Sequence, residues 1–462
     1  MKKFIVCAVV VVSCISFVAI TSEGDPESIP PSKQRFGNAD SGYRYIITGD
    51  YVKSGIPLGM YHFAFKKEKI NLLDRQGDNA EVRYDFNVVT ADNGESVVVP
   101  NCLQCHAQFF NGQLILGLGN SIGDFTKDQK LSGFQKIALS YLKLKPKKYE
   151  AAKDFVTVGL EIGDDLFTDV VGANPADRLT ALLVSHRDPA TLAWNDKPTI
   201  ELPREVIPSD VPAWWLLKKK NAMFYNGFGR GDFGKFLMGS ALLTTKDTIH
   251  AREVDTHMPD VLSYLYTIEP PKYPLAIDEQ LAQKGKVIFE SICSGCHGTY
   301  GKDGQFPNLL IPESQVGTDS SLNNSNYQHS DMIDWYNKSW FSKGDHPAQL
   351  APFNGYIAPP LDGVWITAPY FHNGSVPTIE AVLNSKLRPK YWTRDFFTGT
   401  SPGETTKYDY EKLGWQFQTL CAPGDKYVYN TTLPGYGNYG HTFGDYLTDQ
   451  ERKAVIEYLK AL

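Results

Sequence analysis

The pentapeptide Cys102-Leu-Gln-Cys105-His106 and its second copy, Cys293-Ser-Gly-Cys296-His297, constrain this chain more than any other feature. A Cys-x-x-Cys pair followed at once by His is the signature of covalently attached c-type haem. The spacing has a chemical reason. Two thiols add across the two vinyl groups of one porphyrin, and the adjoining imidazole then lies beneath the iron. A disulfide or a four-thiolate zinc site would also use the cysteines. Neither requires a His directly after the second Cys, and here it follows twice. Two covalently bound haem c groups are therefore expected, held by Cys102, Cys105, Cys293 and Cys296, with His106 and His297 as proximal ligands. Thioether links hold a cofactor with little surrounding regular structure, which suits a chain with 39 Gly and 28 Pro.

Of the 462 residues, 42% are apolar and 21% charged, so a core can form and intrinsic disorder is excluded. A net charge of −6 without a basic stripe argues against nucleic acid as a partner. Only Phe4 to Ile20 approaches membrane-spanning length, which rules out a polytopic membrane protein. Preceded by Lys2 and Lys3, that run marks residues 1–24 as a secretory signal. Val11-Val12-Ser13-Cys14 also fits a lipoprotein signal in which Cys14 is lipidated, and an uncleaved anchor is the third reading. All three export the chain, to the periplasm or beyond, and confine any membrane contact to this terminus. Residues 25–40, polar and Pro-rich, read as a linker. Cys421 has no evident partner and is expected to be a buried free thiol.

An internal repeat sets the domains. Val261-Leu-Ser-Tyr-Leu265 and Val455-Ile-Glu-Tyr-Leu459 share an amphipathic helical pattern. Tyr264 lies 158 residues after His106, and Tyr458 lies 161 after His297. Two haem domains, 41–270 and 271–462, each closed by such a helix, are the economical reading, with Pro270, Pro271 and Pro274 between them. A further helix is expected over 278–291, running into Cys293. The fold class is thus mainly α and loop-rich, with two cytochrome c-like domains. The first carries a long insert and short strands, at Glu95–Pro100, Gln113–Gly117 and elsewhere in 41–100.

The opposite face of each iron is constrained by counting. After His297 the only Met is Met332, early in the domain, so a Met ligand is disfavoured. Of His329, His346, His372 and His441, the first two lie in polar loops. His441 precedes the closing helix and is the favoured distal ligand; His372, in a constrained aromatic turn, is the second candidate. For the first iron, Met223, Met238, His186, His250, His257 and Met258 offer no comparable turn. That iron is expected to be five-coordinate or to hold an exchangeable small molecule.

Pro359-Pro-Leu-Asp-Gly-Val-Trp-Ile-Thr-Ala-Pro-Tyr-Phe-His-Asn-Gly-Ser-Val-Pro-Thr378 resembles the carboxy-terminal haem-domain motif of bacterial dihaem cytochrome c peroxidases. It is closer still to their rubber-oxygenase-like branch, as is the stretch from Val211 to Asp232. The similarity covers most of residues 95–462 and includes the 191-residue separation of the two motif histidines. The resemblance implies an oxygen-binding amino-terminal haem with an aromatic ring over its distal face, for which Phe228 is the best match. It implies a Trp near the haems, matched by Trp214 or Trp215, and an Arg pairing with a haem propionate, matched by Arg230. Lys218 to Lys220 read as a solvated run. The chain is shorter than the rubber oxygenases, and no Glu or Gln is placed over the first haem, although Gln108 and Gln113 lie nearby in sequence. The expected function is a dihaem oxidoreductase that relays electrons through the second haem and meets oxygen, peroxide or an organic substrate at the first. A non-catalytic electron carrier is the alternative, and a small redox protein the expected partner. Calcium occurs between the domains of related peroxidases, but no ligands for it can be placed.

Overall fold

The computed structural model describes residues 24–126, 133–328 and 330–462. Residues 1–23, which include Cys7, Cys14 and nearly all of the expected signal, lie outside them, as does His329. Helix accounts for 38% and strand for 14%. The chain is therefore mixed and loop-rich rather than mainly α. Among the described residues no helix is long and apolar enough to cross a membrane.

One arrangement occurs twice. In the carboxy-terminal half the helix Glu279–Ile292, capped by the Asp278 carboxylate on the amides of Gln280 and Leu281, packs against the closing helix Asp449–Leu459. In the amino-terminal half the helix Ala39–Thr48, capped by Asn38, packs against Met258–Thr267. Each crossing is made close by a glycine. A Cβ on Gly285 would collide with the Ala454 carbonyl, and one on Gly42 with the Asp260 carbonyl. Ala454 and Asp260 hold the same place in the repeated pattern, directly before Val455 and Val261.

Strands occur in both halves, and those of residues 56–116 flank the first motif. Ser96–Pro100 is the centre of a three-stranded sheet between Ile56–Pro57 and Phe86–Thr90, with Val88 opposite Val98. Val97, Val98 and Val99 are at most 1% exposed, so the run is apolar on both faces and does not alternate. Ala107–Phe110 and Gln113–Leu116 form a hairpin whose turn, Asn111-Gly112, takes positive φ at both residues, the geometry that suits a two-residue loop. Asn111 exchanges hydrogen bonds with Thr406, which carries the hairpin tip into the other half.

The expected boundary at 270 falls between the two helix pairs, yet packing crosses it. Trp335, Tyr336 and Phe341 join the amino-terminal core, while Phe110, Ala213 and Trp215 join the carboxy-terminal one. Residues 25–40 are not a free linker. Glu27–Ser28 pairs with Leu309–Leu310, and Arg35 bridges Asp232 and Asp255. Cys421 is exposed rather than buried, at the start of a Pro- and Gly-containing turn whose residues 421–425 are all exposed.

Candidate haem sites

The second motif opens where the helix Glu279–Ile292 ends. Cys293 caps the short helix Ser294–His297, so Cys293, Cys296 and His297 stand on one turn. His297 Nδ1 lies 2.8 Å from the Pro359 carbonyl. A proton on Nδ1 shared with that carbonyl leaves Nε2 as the lone-pair atom, the state in which a histidine binds metal. Burial lowers the His297 pKa, opposed by the bond to Pro359, so the neutral ring is favoured.

Across a cavity of about 270 Å³ stands His441. The two ring centroids are 6.1 Å apart. A metal–imidazole bond of about 2 Å, with the ring centre about 1 Å beyond the nitrogen, separates the centroids of two rings on one ion by about 6 Å. The pair therefore fits a single iron between them. His441 adopts a positive φ of 44° and its amide donates to the Val316 carbonyl at 2.6 Å. The Arg388 guanidinium donates to the carbonyls of Ala381, Val382, Asn438, Gly440 and His441. Burial, with His297 and Arg388 adding to it, pushes the His441 pKa down to about 3. The remaining lining is chiefly apolar, including Phe289, Leu361, Val382 and Leu459. A flat, mostly apolar macrocycle suits such walls.

His372 lines the same cavity but stacks on Tyr356, with centroids 4.3 Å apart, and makes no ring contact with His297. Burial lowers its pKa to about 4, opposed by Asp319. Of the two candidates named from sequence, His441 is thus the one that faces His297.

At the first motif the short helix Leu103–His106 lies between the strand Ser96–Pro100 and the hairpin. Cys102 Sγ is 3.5 Å from the Tyr51 hydroxyl, and Cys105 Sγ is 3.6 Å from Asn174 Nδ2. The His106 ring stacks on Trp214 with centroids 4.8 Å apart. Burial pushes its pKa down to about 4, opposed by the Pro212 carbonyl.

A second cavity, of about 170 Å³, is lined from segments 177–242 and 322–350, and none of Cys102, Cys105 and His106 is on its wall. Asp177 on its wall is three residues from Asn174, the neighbour of Cys105. Gly239 and Leu242 on its wall flank Met238, Ser240 and Ala241, which share a small pocket with Cys102. Phe228, 2% exposed, lines this cavity with Phe224, Phe236 and Phe341, an aromatic enclosure. Segment 207–213 contributes to both cavities. Ile207 lines the aromatic cavity, whereas Asp210 to Ala213 line that of the second motif.

Several expected residues lie elsewhere. Arg230 donates to the Gly227 carbonyl and lines neither cavity, so a propionate contact finds no support in its position. Trp215 is fully buried in the carboxy-terminal core, its indole N–H donating to Asp362. Trp214 instead meets His106. The adjacent pair thus touches both cores. Lys218 to Lys220 are not a solvated run: Lys218 pairs with Glu269, Lys219 with Asp362, and Lys220 lines the cavity of the second motif. Gln108 is buried and accepts from Ser121, while Gln113 is exposed on the hairpin, so neither lines the first cavity. Met238 and Met258 are core residues. His186 stacks on Trp194 and His257 on Tyr45. Among the described residues no group of three or more His, Cys, Asp or Glu is arranged to hold a free metal ion such as calcium. Sequence reasoning missed Arg388 and the Pro359 carbonyl, because nothing in a local pattern marks a residue whose partner is distant in the chain.

Residues 355–393 match the family described as RoxA-like, cytochrome c-like. This segment contains Pro359, His372 and Arg388 but neither attachment motif. Two proteins of Sinorhizobium fredii are similar to this chain. Uncharacterized protein y4iJ is 27% identical over 259 residues, 42% of this chain and 41% of that protein. Uncharacterized protein y4iM is 24% identical over 240 residues, 46% of this chain and 51% of that one. The matches thus span about half of these relatives or less. Among solved structures, xenon-pressurized hydrazine synthase of Kuenenia stuttgartiensis covers 62% of this chain and 87% of its own at 14% identity, with a TM-score of 0.25, too low to bear on the fold. The matched segment supports a haem cytochrome carrying haem c.

Proposed function

We propose that this chain is an exported dihaem c-type cytochrome acting as an oxidoreductase, of the rubber-oxygenase-like branch of the dihaem peroxidases. The observation that carries the reading is the His297–His441 pair, facing across an apolar cavity at a spacing that fits one iron. Cys293 and Cys296 hold one haem c and Cys102 and Cys105 the other. His297 and His441 ligate the carboxy-terminal iron, and bis-histidine ligation favours a low potential and an electron-relay role. His106 ligates the amino-terminal iron. Its opposite side is read as open to an exchangeable small ligand.

Bound haem supplies one-electron chemistry and, at an open iron, chemistry on oxygen or peroxide. The protein does the rest. Aromatic walls exclude water from the cavity of Phe228 and bias it towards apolar organic substrates, and Trp214 and Trp215 link the ring system at His106 to the carboxy-terminal core. A small redox protein is the proposed electron partner.

Paramagnetic-resonance and optical spectra of the exported holoprotein test the assignment. One high-spin and one low-spin haem, with carbon monoxide binding to one haem per chain, is the expected result. Two low-spin haems that refuse carbon monoxide would make the chain a non-catalytic electron carrier. Turnover with peroxide and a reduced donor, against oxygen uptake with an organic substrate, then divides peroxidase from oxygenase.

A further inference from the structure

The amino-terminal half carries an apolar stripe that nothing among the described residues covers. The helix Gly133–Lys143 leads through Leu144 and Lys145 into the helix Pro146–Ile162. Leu144 and Lys145 continue its last turn, their amides donating to the carbonyls of Tyr141 and Leu142. Leu142 turns inward and is 4% exposed, whereas Ile137, Tyr141 and Leu144 are 70%, 54% and 75% exposed. Spacings of four and three residues put those three side chains on one face, and that face is turned to solvent. A helix of a globular protein ordinarily buries such a stripe.

The charge at the same place is of one sign. Between Asp128 and Glu150 the chain has six lysines and no acidic residue, in a protein whose net charge is −6. Four of them, Lys143, Lys145, Lys147 and Lys148, are exposed at the corner between the two helices. Lys143 has a structural reason, since a cation is favoured at the carboxy end of its helix. Lys147 has another, the Glu95 carboxylate at 3.2 Å. Lys145 and Lys148 meet no carboxylate among the described residues, and the Lys145 ammonium lies 5.6 Å from the centre of the Tyr141 ring. The corner is fixed in place, with Leu142 buried beneath it and the Asn93 side chain donating to the Lys147 carbonyl at 2.7 Å. None of these residues lines either cavity.

We propose that this corner, from Ile137 to Lys148, docks on a bilayer surface that carries anionic phospholipid headgroups. Ile137, Tyr141 and Leu144 enter the interface and the lysines meet the phosphates. An exposed apolar row on its own would suit many partners. A row flanked by lysines is what an anionic bilayer selects, because acyl chains and phosphates are offered side by side on one flat surface. Among the described residues no helix is long and apolar enough to cross a membrane, so the contact lies in the plane of the interface. It is a membrane contact away from the amino terminus, to which the sequence alone confined it, and it is independent of how many haems the chain holds.

The test sediments exported holoprotein with vesicles of phosphatidylcholine and phosphatidylglycerol in equal parts, and with vesicles of phosphatidylcholine alone. Binding should favour the anionic vesicles. It should fall away between about 0.1 M and about 1 M salt, as the screening length drops from about 10 Å to about 3 Å. Lys145→Gln with Lys148→Gln should weaken anionic binding about fivefold for each lysine lost. Ile137→Ser with Leu144→Ser should weaken it about tenfold or more. Phe63→Ala with Phe65→Ala, which removes exposed apolar side chains elsewhere, should leave it unchanged. An unaltered haem absorption spectrum and melting temperature check that each variant is folded. Binding that is equal on both vesicles and resists salt belongs to an amino-terminal anchor or lipid and overturns the proposal. Binding lost in the phenylalanine variant but kept in the lysine variant does the same. Failure to bind the anionic vesicles also overturns it, and leaves the corner to an acidic protein partner.

Discussion

His441 is fixed through its backbone more than through its ring. Its Nδ1 is buried with no partner among the described residues, while its amide and carbonyl are held by Val316 and Arg388. A residue with positive φ is costly for any side chain but Gly, so that clamp has to impose the conformation. Replacing His441 with Ala should convert the low-spin haem to a high-spin form, read by paramagnetic resonance. Arg388→Lys keeps the charge but loses the planar fork that reaches five carbonyls. It should leave both haems attached while letting carbon monoxide compete for the second iron, which an optical titration would detect. The motif residues were legible in the sequence because thioether chemistry dictates their spacing. His441 was legible only as one of a few histidines, and Arg388 not at all. What singles them out is a fold that brings positions 297, 388 and 441 together.

The helix crossings show the same division at the scale of elements. Periodicity marked the closing helices, and the structure places them at Met258–Thr267 and Asp449–Leu459. Their partner Ala39–Thr48 fell in a region expected to hold strands, because a short helix with a Gly in its middle gives a weak helical signal. That Gly is the informative residue, since contact of two backbones forbids a side chain. Gly285→Ala should destabilise the carboxy-terminal half by about 1–3 kcal/mol, the cost of overpacking, measured by denaturant unfolding of the holoprotein. The closing helix also starts on a capping box, with Thr448 and Glu451 satisfying each other's backbone amides. Thr448→Ala should cost about 1 kcal/mol. Hydrogen bonds from the Thr448 amide and hydroxyl lower the Glu451 pKa. A depressed carboxylate contributes stability that is present above its unfolded pKa and lost as pH falls through the folded one. The variant should therefore lose less stability on acidification than the wild type, seen as converging melting temperatures at low pH.

Across the whole molecule, the sequence repeat is visible and the division it implies is only partly kept. Two helix pairs stand on either side of residue 270, but each core borrows aromatic residues from the other half. Such exchange cannot be read from a linear pattern, because Trp335 and Phe110 look alike to any local rule. The halves should consequently unfold in one transition, and calorimetry resolving two well-separated transitions would contradict the packing described.

Segment 207–213 acts as a party wall: the Pro212 carbonyl meets the His106 ring on one side and Asp210 to Ala213 line the His297–His441 cavity on the other, so that under the proposed dihaem reading each side would hold its own porphyrin. A wall braced from one side only has lost half its support. Maturation is then a joint affair: a chain that fails to load one compartment offers its neighbour a slack back surface. Cys293→Ala with Cys296→Ala should accordingly depress attachment at the untouched first motif, and intact-mass spectra of exported material should show fewer singly loaded chains than independent loading would give.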